Sequence, residues 1–199
     1  MTAAEHPQVA DLHRQARAQW SDLVSRLADP SLVAAVDTAG AAILAALASG
    51  HQLLVAGNGG SAAMASHVAA EFAGKCVMDR RPLPALSLAE SSTTVTAVAN
   101  DYGFEQVFVR GLRAFGRPGD VLLAMSTSGT SANVVAALEV ARDLGLTTIL
   151  LTGEGAVPAG LADHVLQVPS GYTPRIQEVH LLWSHAWCEA VDVAWADLP

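Results

Sequence analysis

The sequence predicts an α/β protein whose five-stranded parallel sheet is covered by helices on both faces. Short runs rich in Val, Ile and Leu alternate along the chain with longer segments of helical periodicity. The short runs are apolar throughout instead of alternating with polar residues, which is typical of strands buried on both faces. Glycines or hydroxyl-bearing residues end several of these runs, where each strand would give way to a helix.

Each predicted element has boundary signals. Two helices come first, over 8–28 and 31–48, with Pro30 between them and Gly50 after the second. Strands are predicted within 52–60, 83–89, 119–126, 146–153 and 164–169. Helices are predicted from the glycines after the first strand to Ala73, near 91–99, over 130–145, and over about 173–195.

Composition narrows the class of protein. Hydrophobic residues make up 51% of the 199 residues and charged residues 15%, which indicates extra buried surface such as an oligomer interface. The net charge of −8 and the absence of a Lys/Arg cluster argue against nucleic-acid binding. The N-terminal sequence lacks a secretory pattern, and no unbroken apolar run reaches the roughly 20 residues of a membrane span. Two cysteines without metal-type spacing fit a reducing cytoplasm.

Two loops predict an anion site. The first strand is followed by Gly57-Asn58-Gly59-Gly60-Ser61, and the third by a Ser/Thr-rich segment over 126–131. Glycines let backbone N–H groups approach an anion, and the start of the next helix adds positive potential. Ligands of open parallel sheets bind beyond the carboxyl ends of the strands, where both loops would lie. The alternative is that both are ordinary turns with Ser/Thr helix caps.

The loops fit more than one kind of phosphate-containing ligand. The segment GNGGSA fits the G-x-G-x-x-A pattern of dinucleotide-binding proteins, and Glu90 stands about where that pattern places an acidic residue. The Ser/Thr-rich second loop is not part of that pattern, however. No G-K-[ST] follows the glycines, which excludes a Walker-type loop. A small phosphomonoester suits two polar loops better than a nicotinamide cofactor does.

Polar residues on two predicted helices indicate chemistry. His67 and Glu71 are four residues apart and share one helix face, as a metal pair or an acid and a base would. The alternative is a buried His satisfied by a local carboxylate. On the last helix, Gln177 and His185 are eight residues apart, about 12 Å along the axis, and their long side chains could converge on one ion. Neighbouring chains could also share them.

Four segments in order carry a family resemblance. They are GNGGSAA…H…AAEF, VTAVANDYGF (95–104), GRPGDVLLAMSTSGTS and TPRIQEVHLLWSH. Together they resemble the phosphoheptose isomerases, a branch of the SIS (sugar isomerase) superfamily, over about residues 8–195. The resemblance implies a single SIS domain over 1–199 with an N-terminal helical extension at about 8–49. It also implies a three-layer αβα sandwich with a flavodoxin-like sheet.

The resemblance implies a function as well. The family isomerises sedoheptulose 7-phosphate to D-glycero-D-manno-heptose 7-phosphate by enediol proton transfer, as a cytoplasmic homotetramer with zinc in its site. The implied catalytic residues are Glu71 and His185. One zinc per subunit would be held by His67, Glu71, Gln177 and His185. The implied substrate-binding residues are Asn58, Gly59, Gly60, Ser61, Asp101, Ser126, Thr127, Ser128, Ser131 and Gln177.

Three positions depart from the family pattern. Met64 stands where an acidic residue is usual, Ser66 where Gln or Met is usual, and Thr130 where Asn is usual. These departures leave the exact sugar open. Two further alternatives are a non-catalytic SIS protein, either a sugar-phosphate regulator or an initiator-associated protein, and an isomerase of another sugar phosphate. Retention of both Glu71 and His185 favours an enzyme.

Overall fold

A computed structural model describes residues 8–196. Its centre is a five-stranded sheet in the order β2-β1-β3-β4-β5, and every neighbouring pair is parallel. This is the strand order of flavodoxin-like folds, as the sequence predicts. The strands are β1 Leu53–Gly57, β2 Ala85–Ser87, β3 Val121–Met125, β4 Thr147–Thr152 and β5 His164–Gln167.

Seven α-helices surround this sheet within the described residues. Six of them lie where the sequence predicts a helix, with ends that differ from the prediction by a few residues. The helices are α1 Val9–Leu27, α2 Pro30–Ala48, α3 Gly60–Ala73, α4 Ser92–Tyr102, α5 Val107–Phe115, α6 Ala132–Asp143 and α7 Thr173–Trp195.

Helix α5 was not predicted. Its sequence, VFVRGLRAF, opens with β-branched and aromatic residues and contains Gly111, all of which have modest or poor helix propensity. Tertiary packing decides the outcome, because Phe108 and Leu112 are buried against the sheet. Gly111 also lets the helix approach closely, since a Cβ there would lie 3.0 Å from the side chain of Leu88.

Alternation along the strands builds a core on each face of the sheet. Leu53 and Val55 of β1 point to the face covered by α2, α3 and α7, and they belong to one buried cluster. Leu54 and Ala56 point to the opposite face, which α5 and α6 cover, and they belong to the other cluster. Burial on both faces explains why the strands read as continuous apolar runs. The result is the predicted three-layer αβα sandwich.

Helix α2 bears on the expectation that no apolar run spans a membrane. It is the one helix among residues 8–196 that is long and apolar enough to cross a membrane, judged by length and composition alone. One of its faces packs in the core, however. Trp187 of α7 donates its indole N–H to the carbonyl of Val36 at 3.1 Å, and a Cβ at Gly40 would lie 2.6 Å from the same ring. We therefore assign α2 to the folded domain.

Helix α1 is attached to the domain by few contacts. Leu23 is its one buried residue, and Trp20 donates its indole N–H to Glu178 of α7. Arg175 of α7 donates to the carbonyl of Ala16 at 3.0 Å. Apolar side chains on α1 remain exposed, among them Val9, Leu12 and Val24. This helix therefore presents apolar surface that no other part of residues 8–196 covers.

Candidate active site

The first loop needs glycine at two positions. Gly59 adopts φ 55° and ψ −120°, which a residue with a Cβ rarely occupies. A Cβ at Gly57 would come within 2.8 Å of backbone atoms of Ser61. Helix α3 begins at Gly60 directly beyond this turn, so its free N–H groups face the end of the sheet. Asn58, Gly59, Gly60 and Ser61 thus lie where the sequence places them.

The second loop lies beside the first, because β1 and β3 pair in register from Leu53–Val121 to Gly57–Met125. Ser126 is buried and donates its hydroxyl to Ser131 Oγ at 3.1 Å. Ser128 Oγ accepts the backbone N–H of Thr130 at 3.2 Å. Thr127 lies between them.

Neither loop owes its polar residues to helix capping. The residue before α3 is Gly59, which has no side chain to cap with. The residue before α6 is Ser131, and its hydroxyl accepts no backbone N–H of the helix. The hydroxyls of Ser128 and Ser131 donate to no other described residue, so they are donors available to an anion, together with the N–H groups at the helix starts that have no backbone acceptor. This geometry argues against the alternative of ordinary capped turns.

An amide pair joins the two loops. The side chains of Asn58 and Asn133 donate to each other's carbonyl oxygen, both at 2.8 Å. Asn133 is 2% exposed and occupies the first turn of α6. Asn133 was not predicted from the sequence, although a polar residue on a buried helix face directly after a Ser-rich loop was a signal. The pair fixes the spacing between the two loops.

Gln177 reaches the same region from α7. A Cβ at Gly60 would lie 2.7 Å from Gln177 Nε2, so the amide lies on the first residue of α3. Glycine at position 60 gives this side chain its room. The structure therefore brings Gln177 to the end of α3 that follows the first loop, and its substrate-binding role stays a prediction.

His67, Glu71 and His185 meet within one chain. His67 Nε2 lies 2.9 Å from His185 Nε2, and the two rings are edge-on with centroids 5.2 Å apart. Glu71 Oε1 lies 3.7 Å from His67 Nδ1. The side chain of Glu71 is 19% exposed, so the carboxylate is reachable yet partly shielded from water. Helices α3 and α7 thus bring together the three titratable residues that the sequence predicts.

The donor set fits a metal ion in part. Two imidazole nitrogens aimed at each other are ligands that zinc and similar ions favour. Glu71 faces the opposite ring nitrogen of His67, so its carboxylate does not point between the two Nε2 atoms. Among residues 8–196 no group of three or more His, Cys, Asp and Glu is arranged to hold a metal. The zinc ligand set stays a prediction.

His180 is a polar residue of α7 that belongs to the core instead of the site. It is 0% exposed, and neither ring nitrogen has a hydrogen-bond partner among the described residues. Burial lowers the pKa of His180 to about 4, so the ring is neutral at physiological pH. It stacks on Trp183, with ring centroids 6.4 Å apart.

A cavity of about 290 Å³ lies beside the first loop. Its walls include Gly57, Asn58 and Gly59, together with side chains of α4 and α5 such as Thr96 and Phe108. Asp101 is exposed near the end of α4 and accepts from Asn100 Nδ2 at 2.8 Å. It does not line this cavity, so its contact with a sugar stays a prediction.

The three departures from the family pattern are accommodated locally. Met64 is half-buried and packs on the core cluster beneath α3. Ser66 donates its hydroxyl to Ser87 of β2 at 3.2 Å. Thr130 donates its hydroxyl to Ser128 at 3.2 Å. None of them disrupts the loops or the His67–Glu71–His185 cluster.

Comparison with known proteins identifies the family. A model of the SIS domain matches residues 17–153. The phosphoheptose isomerase of Nitratidesulfovibrio vulgaris is 50% identical over 147 residues, which cover 73% of this chain and 71% of that relative. The phosphoheptose isomerase of Rhodospirillum rubrum is 45% identical over 175 residues, covering 87% of this chain and 92% of the relative.

A solved structure agrees with these matches. The phosphoheptose isomerase from Neisseria gonorrhoeae superposes with a TM-score of 0.81 at 39% identity, covering 92% of this chain and 99% of that one. The family removes the nicotinamide-binding alternative, because the glycine loop is part of a SIS domain. This chain belongs to the SIS domain family, in the branch that the phosphoheptose isomerases form.

Proposed function

We propose that this protein is a phosphosugar isomerase that converts sedoheptulose 7-phosphate to D-glycero-D-manno-heptose 7-phosphate. One observation carries the proposal. Helix α3 starts at the glycine loop and carries His67 and Glu71 two to three turns further on, where they meet His185. Gly60 and His67 are about 10 Å apart along the helix axis, which suits a sugar phosphate bound along α3.

The phosphate group binds between the two loops in this proposal. Ser128 and Ser131 supply hydroxyl donors, and Ser126 orients Ser131 through its own hydroxyl. The starts of α3 and α6 supply backbone N–H groups. Neutral donors are enough, because several converge and the helix ends contribute positive potential. The Asn58–Asn133 pair holds the two sets of donors at a fixed spacing.

The reacting carbons then lie near Glu71. Its carboxylate takes a proton from C1 of the ketose, which leaves an enediolate across C1 and C2 with the negative charge on the C2 oxygen. The carboxylic acid, whose proton exchanges with solvent, then protonates C2. His185 moves the other proton from the C1 oxygen to the C2 oxygen, which makes C1 the aldehyde. His67, 3.7 Å from Glu71, orients the carboxylate.

We propose one zinc ion per subunit, held by His67 and His185, with Glu71 and Gln177 completing the set once their side chains turn toward the two Nε2 atoms. In this structure Glu71 faces Nδ1 of His67, and the Gln177 amide lies on Gly60. Such an ion would polarise the substrate carbonyl and stabilise negative charge on oxygen. Protein purified without chelator is expected to contain about one zinc per chain by elemental analysis. His185→Gln should lose it, and His164→Gln, on β5, should not. If no metal is found and added zinc changes neither thermal stability nor activity, the ligand assignment is wrong.

We also propose a homotetramer with α1, α2 and α7 in the contacts. Support comes from the exposed apolar residues of α1 and from Leu182 and Val193, exposed at 48% and 68% on α7. Only four of the 19 residues of α2 are buried within the chain. Sedimentation is expected to show a species of four 20.6 kDa chains. A stable single chain at micromolar concentration would rule this out.

Other proposed properties follow from composition. Cys76 and Cys188 are both free thiols, which supports a reducing compartment such as the cytoplasm. The net charge of −8 opposes binding to nucleic acid or to an anionic membrane surface.

The direct test of the proposed function is conversion followed by NMR of the sugar. Purified protein should turn sedoheptulose 7-phosphate into the aldoheptose phosphate, and arabinose 5-phosphate should react far more slowly. The second candidate is a regulator that binds the sugar phosphate through the loops without changing it. Calorimetric binding of sedoheptulose 7-phosphate without conversion would favour that regulator.

A further inference from the structure

A second polar cluster lies behind the proposed site, at the far end of α3. The guanidinium of Arg80 is 0% exposed and donates through Nε to Asp192 Oδ1 at 3.0 Å. Its Nη1 donates to the carbonyls of Phe72 and Gly74, each at 2.9 Å, and its Nη2 to the carbonyl of Glu71 at 2.8 Å. Arg80 thus satisfies carbonyls that the last turn of α3 leaves without helix partners.

Asp192 is also buried and hydrogen-bonded through both carboxylate oxygens. It is 1% exposed, and its Oδ2 accepts the backbone N–H groups of Val77 at 2.6 Å and Met78 at 2.9 Å. Burial alone raises the pKa of this carboxyl, but the N–H donors of residues 76–78 and the charge of Arg80 together hold its pKa below the usual value. The two residues therefore form a fully hydrogen-bonded ionic pair.

Stability is a poor reason for such a pair. Desolvating two charges costs about as much as their attraction returns, so apolar residues of similar volume often stabilise a protein as well. The pair has another property that apolar contacts lack. Its hydrogen bonds have fixed directions, so they hold α3 and α7 in one register.

This register between α3 and α7 matters for the proposed site, because both helices carry residues of that site. Asp192 lies seven residues after His185, two helical turns along the same face of α7. Arg80 holds the backbone carbonyl of Glu71 itself. One bonded path therefore runs from the residue proposed as the base, through Arg80 and Asp192, to the helix that carries His185.

We propose that Arg80 and Asp192 are positioning residues for the isomerase site, which set the location of Glu71 relative to His185. The assignment rests on the proposed function for the reaction that it serves. Loss of the pair should affect the chemical step and leave the phosphate loops, at the other end of α3, as they are.

The first test separates positioning from stability. Asp192→Asn and Arg80→Lys are expected to lower kcat at least tenfold, while KM changes less than about threefold, and Asp192→Glu should restore part of the loss. The control is Leu112→Ala, a core substitution on the opposite face of the sheet. It should lower the melting temperature as much or more and leave kcat nearly unchanged. Full kcat in folded Asp192→Asn would overturn the proposal, as would a loss that simply follows melting temperature across all variants.

The second test does not depend on the substrate. Nitrogen NMR of labelled histidine reports the surroundings of the ring nitrogens of His67 and His185, assigned with His67→Gln and His185→Gln. Arg80→Lys and Asp192→Asn should shift both signals, and Leu112→Ala should not. If both signals stay unchanged in the two variants, the pair does not position the site, whether or not the wild type isomerises the heptose. If the wild type fails to isomerise but the signals shift, the proposed function is wrong and the positioning role stands.

Discussion

Glu71→Gln is expected to abolish isomerisation of sedoheptulose 7-phosphate. The amide keeps the size of the carboxylate but cannot take a proton from carbon. General acid–base catalysis is typically worth about 10²–10⁴-fold in rate, so kcat should fall at least a hundredfold. Binding of phosphate should survive, because the loops lie at the opposite end of α3. NMR of the sugar measures the rate, and calorimetry measures binding.

A second site variant and a control variant accompany Glu71→Gln. His185→Gln should lose activity to a similar degree, because His185 is the proposed carrier of the oxygen proton. Glu189→Gln, an exposed carboxylate on the same helix as His185, should keep full activity. Near-full activity of Glu71→Gln would show that another group is the base. The assignment of Glu71 as the base would then be wrong, but the protein would still be an isomerase, since conversion itself would still occur.

Gly57→Ala is expected to weaken sugar-phosphate binding about a hundredfold. The added Cβ would come within 2.8 Å of the backbone of Ser61. Because the clash is with backbone and not with a flexible side chain, the loop itself has to shift. A shifted loop misplaces the N–H donors at the start of α3. Losing two charge-assisted hydrogen bonds of about 1.5 kcal/mol each corresponds roughly to that factor. The measurement is KM for the substrate together with calorimetry of inorganic phosphate.

Gly155→Ala is the matched control. Gly155 lies in the loop after β4, where an added Cβ meets nothing within 4 Å and φ is not positive. Its KM should stay within about twofold of wild type, since surface substitutions of this kind usually change little. Equal effects of the two glycine variants would show that the close approach at Gly57 is unimportant for binding.

Most of the fold could be predicted from local signals. The strands are buried on both faces, so their apolar runs are unbroken, and each ends at a glycine or a polar loop. Helix α7 begins at Thr173 and ends at Trp195, as predicted, because its apolar residues recur regularly over the whole segment. Helix α5 escaped prediction because its helical state depends on packing of Phe108 and Leu112 against the sheet.

The site divides in the same way. The two loops and the His67–Glu71 spacing are local patterns. In the structure the loops lie at the start of α3, and His67 and Glu71 lie on one side of the same helix. Two polar pairs that join distant segments, however, match no pattern in the sequence. Asn58 and Asn133 are 75 residues apart, and Arg80 and Asp192 are 112 residues apart. Only the folded chain shows that these side chains meet.

The most direct test of the enediol isomerase is exchange with solvent in D₂O. Wild-type protein incubated with sedoheptulose 7-phosphate is predicted to yield aldoheptose phosphate with deuterium at C2 and to leave deuterium at C1 of the recovered ketose. Glu71→Gln should give neither label. If the wild type binds the ketose by calorimetry yet produces no aldose and no labelled carbon, the protein is not this isomerase and the sugar-phosphate regulator takes its place.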